Sequence, residues 1–195
     1  MFNVTFGRRR GVIVLLGTLA AVLALSTPAS AERSFFFEET AEAFWAVPHE
    51  CADGSIVEAT LLVRSTRDFE SPETEDADPT ARVQYLAVCP DGSSFSWAAP
   101  AAAATITSAP NLKSVTVTGT GIARDNLGGT HEVSFDVAWT SVGPLVTTVN
   151  GPGSKRQQRE AIATGQVIFD DDVLVDGEAN HPTRPDPFIR VDTEK

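Results

Sequence analysis

Apolar and polar residues alternate with a period of two along most of the chain after residue 31. In HEVSFDVAWT (131–140), every second residue from Val133 to Trp139 is apolar, and mainly polar residues lie between them. The same alternation recurs in SIVEATLLVRS (55–65) and in the threonine-rich KSVTVTGTGI (113–122). Because the side chains of a strand point alternately to opposite faces, this pattern predicts strands with one buried face.

Turn signals divide the pattern into roughly eight to ten short strands. Asp-Gly dipeptides at 53–54 and 91–92 mark tight turns, since glycine adopts positive φ without steric cost. Polar segments at 69–80 and 150–159 predict surface loops. Together these features predict an all-β fold, an antiparallel β-sandwich or a flattened β-barrel, that forms a single domain over residues 32–195.

Two further segments have a biased composition. AAPAAAATITSAP (98–110) is of low complexity and predicts either a linker between two halves of the domain or an edge strand. The segment GEANHPTRPDPF (177–188) contains three prolines, so we predict a tail that runs extended over the surface.

The first 31 residues have the three parts of a secretory signal peptide. Three arginines at 8–10 precede an apolar run at 11–25, and Ala-Ser-Ala fits cleavage after Ala31. A transmembrane anchor, the alternative, needs about 20 apolar residues, and this run is shorter. We therefore predict a signal peptide at 1–31, no transmembrane segment in the mature chain, and a secreted protein, with association with the cell envelope as the alternative. The arginines leave general and twin-arginine export open.

The motif Cys-x-Asp-Gly-Ser occurs twice, and the two cysteines of the chain, Cys51 and Cys89, are the first residues of its two copies. Export favours a disulfide, so we predict a bridge that ties two hairpins at the same end. In the chain-entropy model such a bridge contributes about 4 kcal/mol. The alternative is a metal site, because His49 and Glu50 lie beside Cys51, but zinc would need further ligands at suitable spacing.

The chain is acidic, with 15 basic and 26 acidic residues and a formal net charge of −11. Cleavage after Ala31 would remove three arginines and no acid, and would lower the net charge to −14. Such a charge disfavours nucleic acids and anionic membranes as partners and favours solubility. SKRQQR (154–159) is a local basic segment that could pair with an acidic partner.

The richest cluster of acids lies in FDDDVLVDGE (169–178). Oxygen ligands from one loop suit Ca²⁺, so this segment is the candidate metal site, although the spacing of an EF-hand is absent. Its ligands would be Asp170, Asp171, Asp172, Asp176 and Glu178. The alternative is a solvated acidic turn.

Signals for catalysis are sparse. His49, His131 and His181 are the only histidines, and no G-x-S-x-G motif marks a nucleophile. Glu132 and Asp136 are the carboxylates that we consider for glycoside hydrolysis. The sequence therefore favours a non-enzymatic role and implies no organic cofactor.

The plan of the chain resembles that of small secreted proteins of unknown function from high-GC Gram-positive bacteria. The shared features are the signal peptide, one cysteine pair, VAWTSVG (137–143) and REAIATGQV (159–167). The scarcity of lysine relative to arginine fits such a bacterial genome. The resemblance implies a β-sandwich or barrel and carries no activity or site residues.

We predict a secreted or envelope-associated β-domain that binds another macromolecule, an extracellular protein or a glycan. An exposed apolar patch or an edge strand would serve this role. A small extracellular hydrolase and a structural Ca²⁺-binding surface protein are the alternatives.

Overall fold

Ten β-strands account for most of the chain in the computed structural model, which describes residues 35–71 and 79–194. The strands are β1 (Phe35–Glu50), β2 (Ile56–Ser71), β3 (Thr80–Val88), β4 (Ser94–Ser108), β5 (Ser114–Asp125), β6 (Thr130–Ser141), β7 (Val146–Gly151), β8 (Ser154–Phe169), β9 (Asp172–Glu178) and β10 (Phe188–Glu194). A 3-10 turn, Pro110–Leu112, joins β4 to β5. Within these ranges no helix is long and apolar enough to cross a membrane. The predicted signal peptide lies outside the described residues, as do residues 72–78 of the acidic loop.

Every strand pairing is antiparallel, and hydrogen-bonded neighbours follow the order β10-β1-β2-β3-β4-β5-β6-β8. β10 pairs with β8 as well as with β1, so the path of pairings returns to its start. Among the described strands, β7 and β9 pair only with β8: β7 adjoins its first half and β9 its second half. The prediction of an all-β antiparallel fold is confirmed.

The inward faces of the strands form one apolar core. On β6 the alternating residues from Val133 to Trp139 are all buried, as their spacing predicts, and Trp139 is 0% exposed. Leu61 and Val63 of β2 and Ile189 of β10 are likewise fully buried. Burial of these apolar side chains is the main stabilising contribution to the fold.

Two segments differ from their sequence-based interpretation. Residues 154–159, predicted as loop, form the first half of β8 and pair with β7 on one side and β10 on the other. Residues 98–108 belong to β4, which pairs with β5 along this stretch and with β3 as far as Pro100, so the linker alternative is wrong. The main chain supplies the hydrogen bonds of a sheet, and polar or small side chains therefore do not prevent pairing.

Candidate functional site

The disulfide joins the β1–β2 turn to the β3–β4 turn. Cys51 and Cys89 are bonded, their Cα atoms are 6.0 Å apart, and both are nearly buried, which confirms the predicted bridge. In the first turn Asp53 Oδ1 accepts hydrogen bonds from the N–H and the hydroxyl of Ser55 at 2.9 and 2.6 Å. Gly54, at φ +80°, donates its N–H to the Cys51 carbonyl. The bond from the Ser55 hydroxyl contributes most to lowering the pKa of Asp53.

The second turn repeats this geometry bond for bond. Asp91 Oδ1 accepts from the N–H and the hydroxyl of Ser93 at 2.8 and 2.6 Å. Gly92, at φ +85°, donates its N–H to the Cys89 carbonyl. The repeated motif therefore encodes one turn twice, and it fixes the two sulfur atoms on matching hairpins.

A series of packed rings runs from the disulfide to the β8–β9 turn. In spatial order its members are Phe95, His49, Tyr85, Trp97, Phe169 and His131. The centroids of Tyr85 and Trp97 are 5.5 Å apart, and those of Trp97 and Phe169 are 4.8 Å apart. Burial raises the pKa of Tyr85 to about 12, so its hydroxyl keeps its proton at any physiological pH. The rings hold one histidine near each end of the series in a fixed orientation.

His131 lies between two carboxylates. Its Nδ1 is 2.6 Å from Asp170 Oδ2, and its Nε2 is 3.0 Å from Asp125 Oδ2. Ionised carboxylates only accept hydrogen bonds, so both ring nitrogens donate and the ring is an imidazolium. The other oxygens are used as well, because Asp125 Oδ1 accepts the Gly129 N–H and Asp170 Oδ1 accepts the Glu132 N–H. The arrangement is a charged clamp between two turns, and it leaves no nitrogen lone pair for proton abstraction.

The His131 clamp is expected to stabilise the fold most between about pH 4 and 6.5. Hydrogen bonds to Asp125 and then Asp170 raise the pKa of His131, so its contribution is complete below its ordinary 6.5 and is lost as pH rises through the raised value. The hydrogen bond with His131 is the main cause that lowers the pKa of both aspartates, so their contribution is lost only as pH falls through values below 3.8.

Urea unfolding of the chain and of His131→Gln, at about pH 5.5 and about pH 9, tests this dependence. The difference in unfolding free energy between the two proteins should shrink at the higher pH. A difference that is equal at both values would show that the clamp does not titrate as described.

His181 and Thr60 resemble the base and nucleophile of a hydrolase. His181 Nε2 is 2.9 Å from Thr60 Oγ1. The Thr183 N–H donates to Nδ1 over 3.4 Å, so the ring proton lies on Nε2 and is donated to Thr60. Glu58 lies 3.9 Å from the same Nε2, whereas a triad acid holds the other nitrogen. Because a general base needs an open lone pair toward the hydroxyl, this pair is not set up for nucleophilic attack.

The carboxylates considered for glycoside hydrolysis, Glu132 and Asp136, are both exposed on the outer face of β6. Four residues of strand separate them by about 14 Å, and strand side chains stand roughly perpendicular to the sheet. Glycosidases place their two carboxyl groups about 5–9.5 Å apart. The pair is therefore not arranged for that reaction.

The five acids considered for Ca²⁺ are spread along the β8–β9 hairpin. Asp170 and Asp171 form its turn, with φ of 48° and 70°, and Asp170 is engaged by His131. Asp172 begins β9, and the last two acids are exposed about 14 and 20 Å further along the strand. Those two are Asp176 and Glu178. Calcium binding there would require Asp170 to leave the clamp, and it stays a prediction.

His49 forms a compact group with the two cysteines. One ring nitrogen of His49 and the Sγ atoms of Cys51 and Cys89 lie within 4.8 Å of one another, which no other trio of potential metal ligands matches in the described ranges. The Tyr85 hydroxyl is 3.0 Å from His49 Nδ1, and Phe95 stacks on the ring at 5.7 Å. With the disulfide formed, the group offers no thiolate. The predicted bridge already placed Cys89 beside Cys51, two residues from His49, and the fold adds the contacts of His49 with Tyr85 and Phe95.

A groove of about 520 Å³ lies on the outer face of β1 to β5. Its floor follows one row of paired residues across these strands: Phe44, Leu62, Gln84, Ala98 and Arg124. The row combines apolar side chains with one amide and ends in a guanidinium group. No single residue pattern predicts the groove, because each strand contributes only one member of the row.

The groove has no open aromatic face. The Arg184 guanidinium lies over the ring of Phe44, 5.8 Å from its centroid. Trp97 and Tyr85 also line the groove, but they are only 4% and 6% exposed. Sugar rings bind best on open aromatic faces, so this groove is a poor fit for a glycan.

β7 is an edge strand at the end of the sheet order. It pairs with β8 along Val146–Val149, and every second residue turns its N–H and C=O toward the opposite side, where no strand of the described ranges pairs with it. Val146 and Val149 are 57% and 74% exposed, and all but the last residue of the strand is exposed. The segment 142–159 around it contains Lys155, Arg156 and Arg159 and no acidic residue. β7 is thus an exposed edge strand of valine and small polar residues without charge, with Lys155 beside it and Arg156 paired to Asp192 of β10.

No known family model matches the chain, and no curated protein and no solved structure is significantly similar to it.

Proposed function

We propose that the protein is an exported, non-enzymatic binding domain that captures an extended acidic segment of another protein by strand addition to β7. The observation that carries this proposal is the open edge of β7. An unpaired edge offers main-chain donors and acceptors to a second chain, and this mode of recognition is common among peptide-binding domains. Secretion or envelope association is part of the proposal, because an extracellular partner requires it.

The residue content of β7 supports a binding role for this edge. Natural proteins usually protect an edge with charged residues, prolines or bulges. Val146–Val149 has none of these along its regular pairing with β8, and a bulge interrupts the ladder only beyond Val149. An exposed edge without these features is therefore suited to a partner strand.

The charge around β7 selects the partner. Lys155 pairs with Val149 and lies directly beside the edge, whereas Arg156, opposite Thr148, is held in an ion pair with Asp192 of β10. An acidic strand would meet the positive charge of Lys155 here, while the net charge of −11 on the whole chain disfavours nonspecific contact with other acidic chains. A second copy is a poorer partner, because two β7–β8 hairpins would bring the same basic residues together.

The remaining geometry favours binding over hydrolysis and protein over glycan. Both nitrogens of His131 donate, and His181 presents a protonated nitrogen to Thr60. The groove on the outer face lacks an open aromatic surface. These contacts support a non-enzymatic protein-binding role and give no support to the hydrolase alternative.

The test uses the full chain and a labelled eight-residue peptide that alternates Glu with Val or Thr. Fluorescence anisotropy should show binding that weakens with salt. A twin peptide N-methylated at alternate residues loses main-chain donors and should bind at least about tenfold more weakly. The same peptide with Lys in place of Glu should also lose binding.

Val149→Glu should weaken binding of the peptide by at least about tenfold, because it places a negative charge where the acidic peptide would pair. The matched control is Ile122→Glu, since Ile122 is 54% exposed on β5, a strand paired on both sides. Binding that survives N-methylation, or that both variants weaken equally, contradicts strand addition. A dimer of the chain that Val149→Glu dissolves would instead assign the edge to a second copy.

A further inference from the structure

We propose that thiol reduction of the Cys51–Cys89 bridge opens a Cys₂His site for Zn²⁺, with His49 as the third ligand. One ring nitrogen of His49 and the two Sγ atoms already lie within 4.8 Å of one another. In a tetrahedral zinc site, bonds of about 2.3 Å to sulfur and 2.0–2.1 Å to nitrogen place the ligand atoms about 3.3–3.8 Å apart. Small side-chain movements therefore suffice to form it.

Two strands and two turns preorganise the ligands. His49 and Cys51 are two residues apart on the chain, so they project to the same face at the end of β1. Cys89 occupies the equivalent place after β3, and the matching Asp-Gly-Ser turns fix both cysteines independently of the bridge. Reduction removes the covalent bond but leaves these hydrogen bonds in place.

The surroundings of His49 suit a metal ligand. The Tyr85 hydroxyl contacts Nδ1 at 3.0 Å, so Nε2 is the nitrogen without a partner among the described residues. Ligating histidines usually hold a hydrogen bond at their other nitrogen, which fixes the tautomer and ring orientation. The stacked ring of Phe95 at 5.7 Å adds to this restraint.

The disulfide is converted to the zinc site in two steps. Two molecules of an external thiol are oxidised to their disulfide while the bridge is reduced to two cysteine thiols, which receive the two protons. Zn²⁺ then displaces both thiol protons and binds two thiolates and the neutral imidazole, with water as the fourth ligand. A metal would thus take over the connection between the two hairpins in a reducing environment. The site is separate from β7, so the zinc proposal does not depend on the proposed function.

Cobalt titration of the full chain, reduced with a phosphine that does not itself supply thiolate, tests the site. Reduced protein should bind one Co²⁺ with a thiolate-to-cobalt charge-transfer band and the visible bands of tetrahedral cobalt, and Zn²⁺ should displace it. Oxidised protein and the double variant Cys51→Ser with Cys89→Ser should show neither band. His49→Gln should weaken binding by at least about tenfold. The matched control His181→Gln should not, because His181 contacts Thr60 instead.

Near-ultraviolet circular dichroism of each sample distinguishes loss of the site from loss of the fold. A reduced chain that keeps its aromatic signal, or regains it on adding Zn²⁺, supports the proposal. A folded reduced chain without cobalt bands overturns it, as does a reduced chain that stays unfolded with Zn²⁺. Equal affinity of His49→Gln and the unsubstituted chain also overturns it, because the ligands would then be the cysteines alone.

Discussion

Trp139→Ala is expected to lower the free energy of unfolding by about 3–5 kcal/mol. Trp139 is 0% exposed near the C-terminal end of β6, where its ring packs among the inward residues of the core. Removing it takes away a large apolar surface and leaves a cavity that strands paired on both sides cannot close. Urea unfolding followed by circular dichroism measures the change. The expected loss is a large share of a typical total of about 5–15 kcal/mol.

The matched variant is Trp139→Phe. The Nε1 of Trp139 is buried and finds no acceptor among the described residues, and an unsatisfied buried donor costs about 1–3 kcal/mol. Phenylalanine removes that donor while keeping much of the ring, so its net effect should be far smaller than that of alanine. If the two variants were equally destabilised, the ring volume would not be what Trp139 contributes.

Loss of the disulfide should be comparably severe. The double variant Cys51→Ala with Cys89→Ala removes a bridge between residues 38 apart, for which the chain-entropy model gives about 4 kcal/mol. Thermal and urea unfolding should both show it, with the native circular dichroism spectrum unchanged. The same loss is expected from the spacing of the two cysteines, and the structure adds the reason why native geometry should survive.

That reason is the hydrogen bonding within each turn. Asp53 and Asp91 each hold their own turn through a serine hydroxyl and a main-chain N–H. The matched control is the double variant Asp53→Ala with Asp91→Ala in the protein that keeps its disulfide. It removes the hydrogen bonds of the turns without removing the bridge, and so separates the two contributions. In this interpretation the disulfide contributes stability and the turn hydrogen bonds maintain the native geometry. A double cysteine variant that has lost native structure before any urea or heat is applied would contradict it.

Much of the fold could be predicted because local physics determines it. Alternation from Val133 to Trp139 gives a buried face whatever the neighbouring strands are, and Asp-Gly turns fix the hairpins at both cysteines. Prediction failed at 154–159, where side-chain polarity indicated a loop. This segment is a strand because the main chains of β7 and β10 pair with it. The residues of the segment itself do not indicate that pairing.

The candidate sites were less accessible to sequence reasoning because they are assembled across strands. Asp125 and His131 flank one short turn, a spacing that could have suggested their contact, but Asp170 joins them only through β8. The position of β7 at the sheet edge likewise follows from the pairing of all the other strands, which its own residues do not indicate. Local patterns thus determine elements, and the sheet determines which elements remain open.

The pairing of β10 with both β1 and β8 also sets the order in which strands can pair during synthesis. β1 and β10, neighbours in the sheet, are the first and last strands to be made, so their pairing must wait for nearly the whole domain. The intervening hairpins can form early from local contacts, while the final long-range step is slow. Until then β1 and the first half of β8 are each unpaired on the side that β10 will occupy, and the unfinished chain is the stage most exposed to association with other strands.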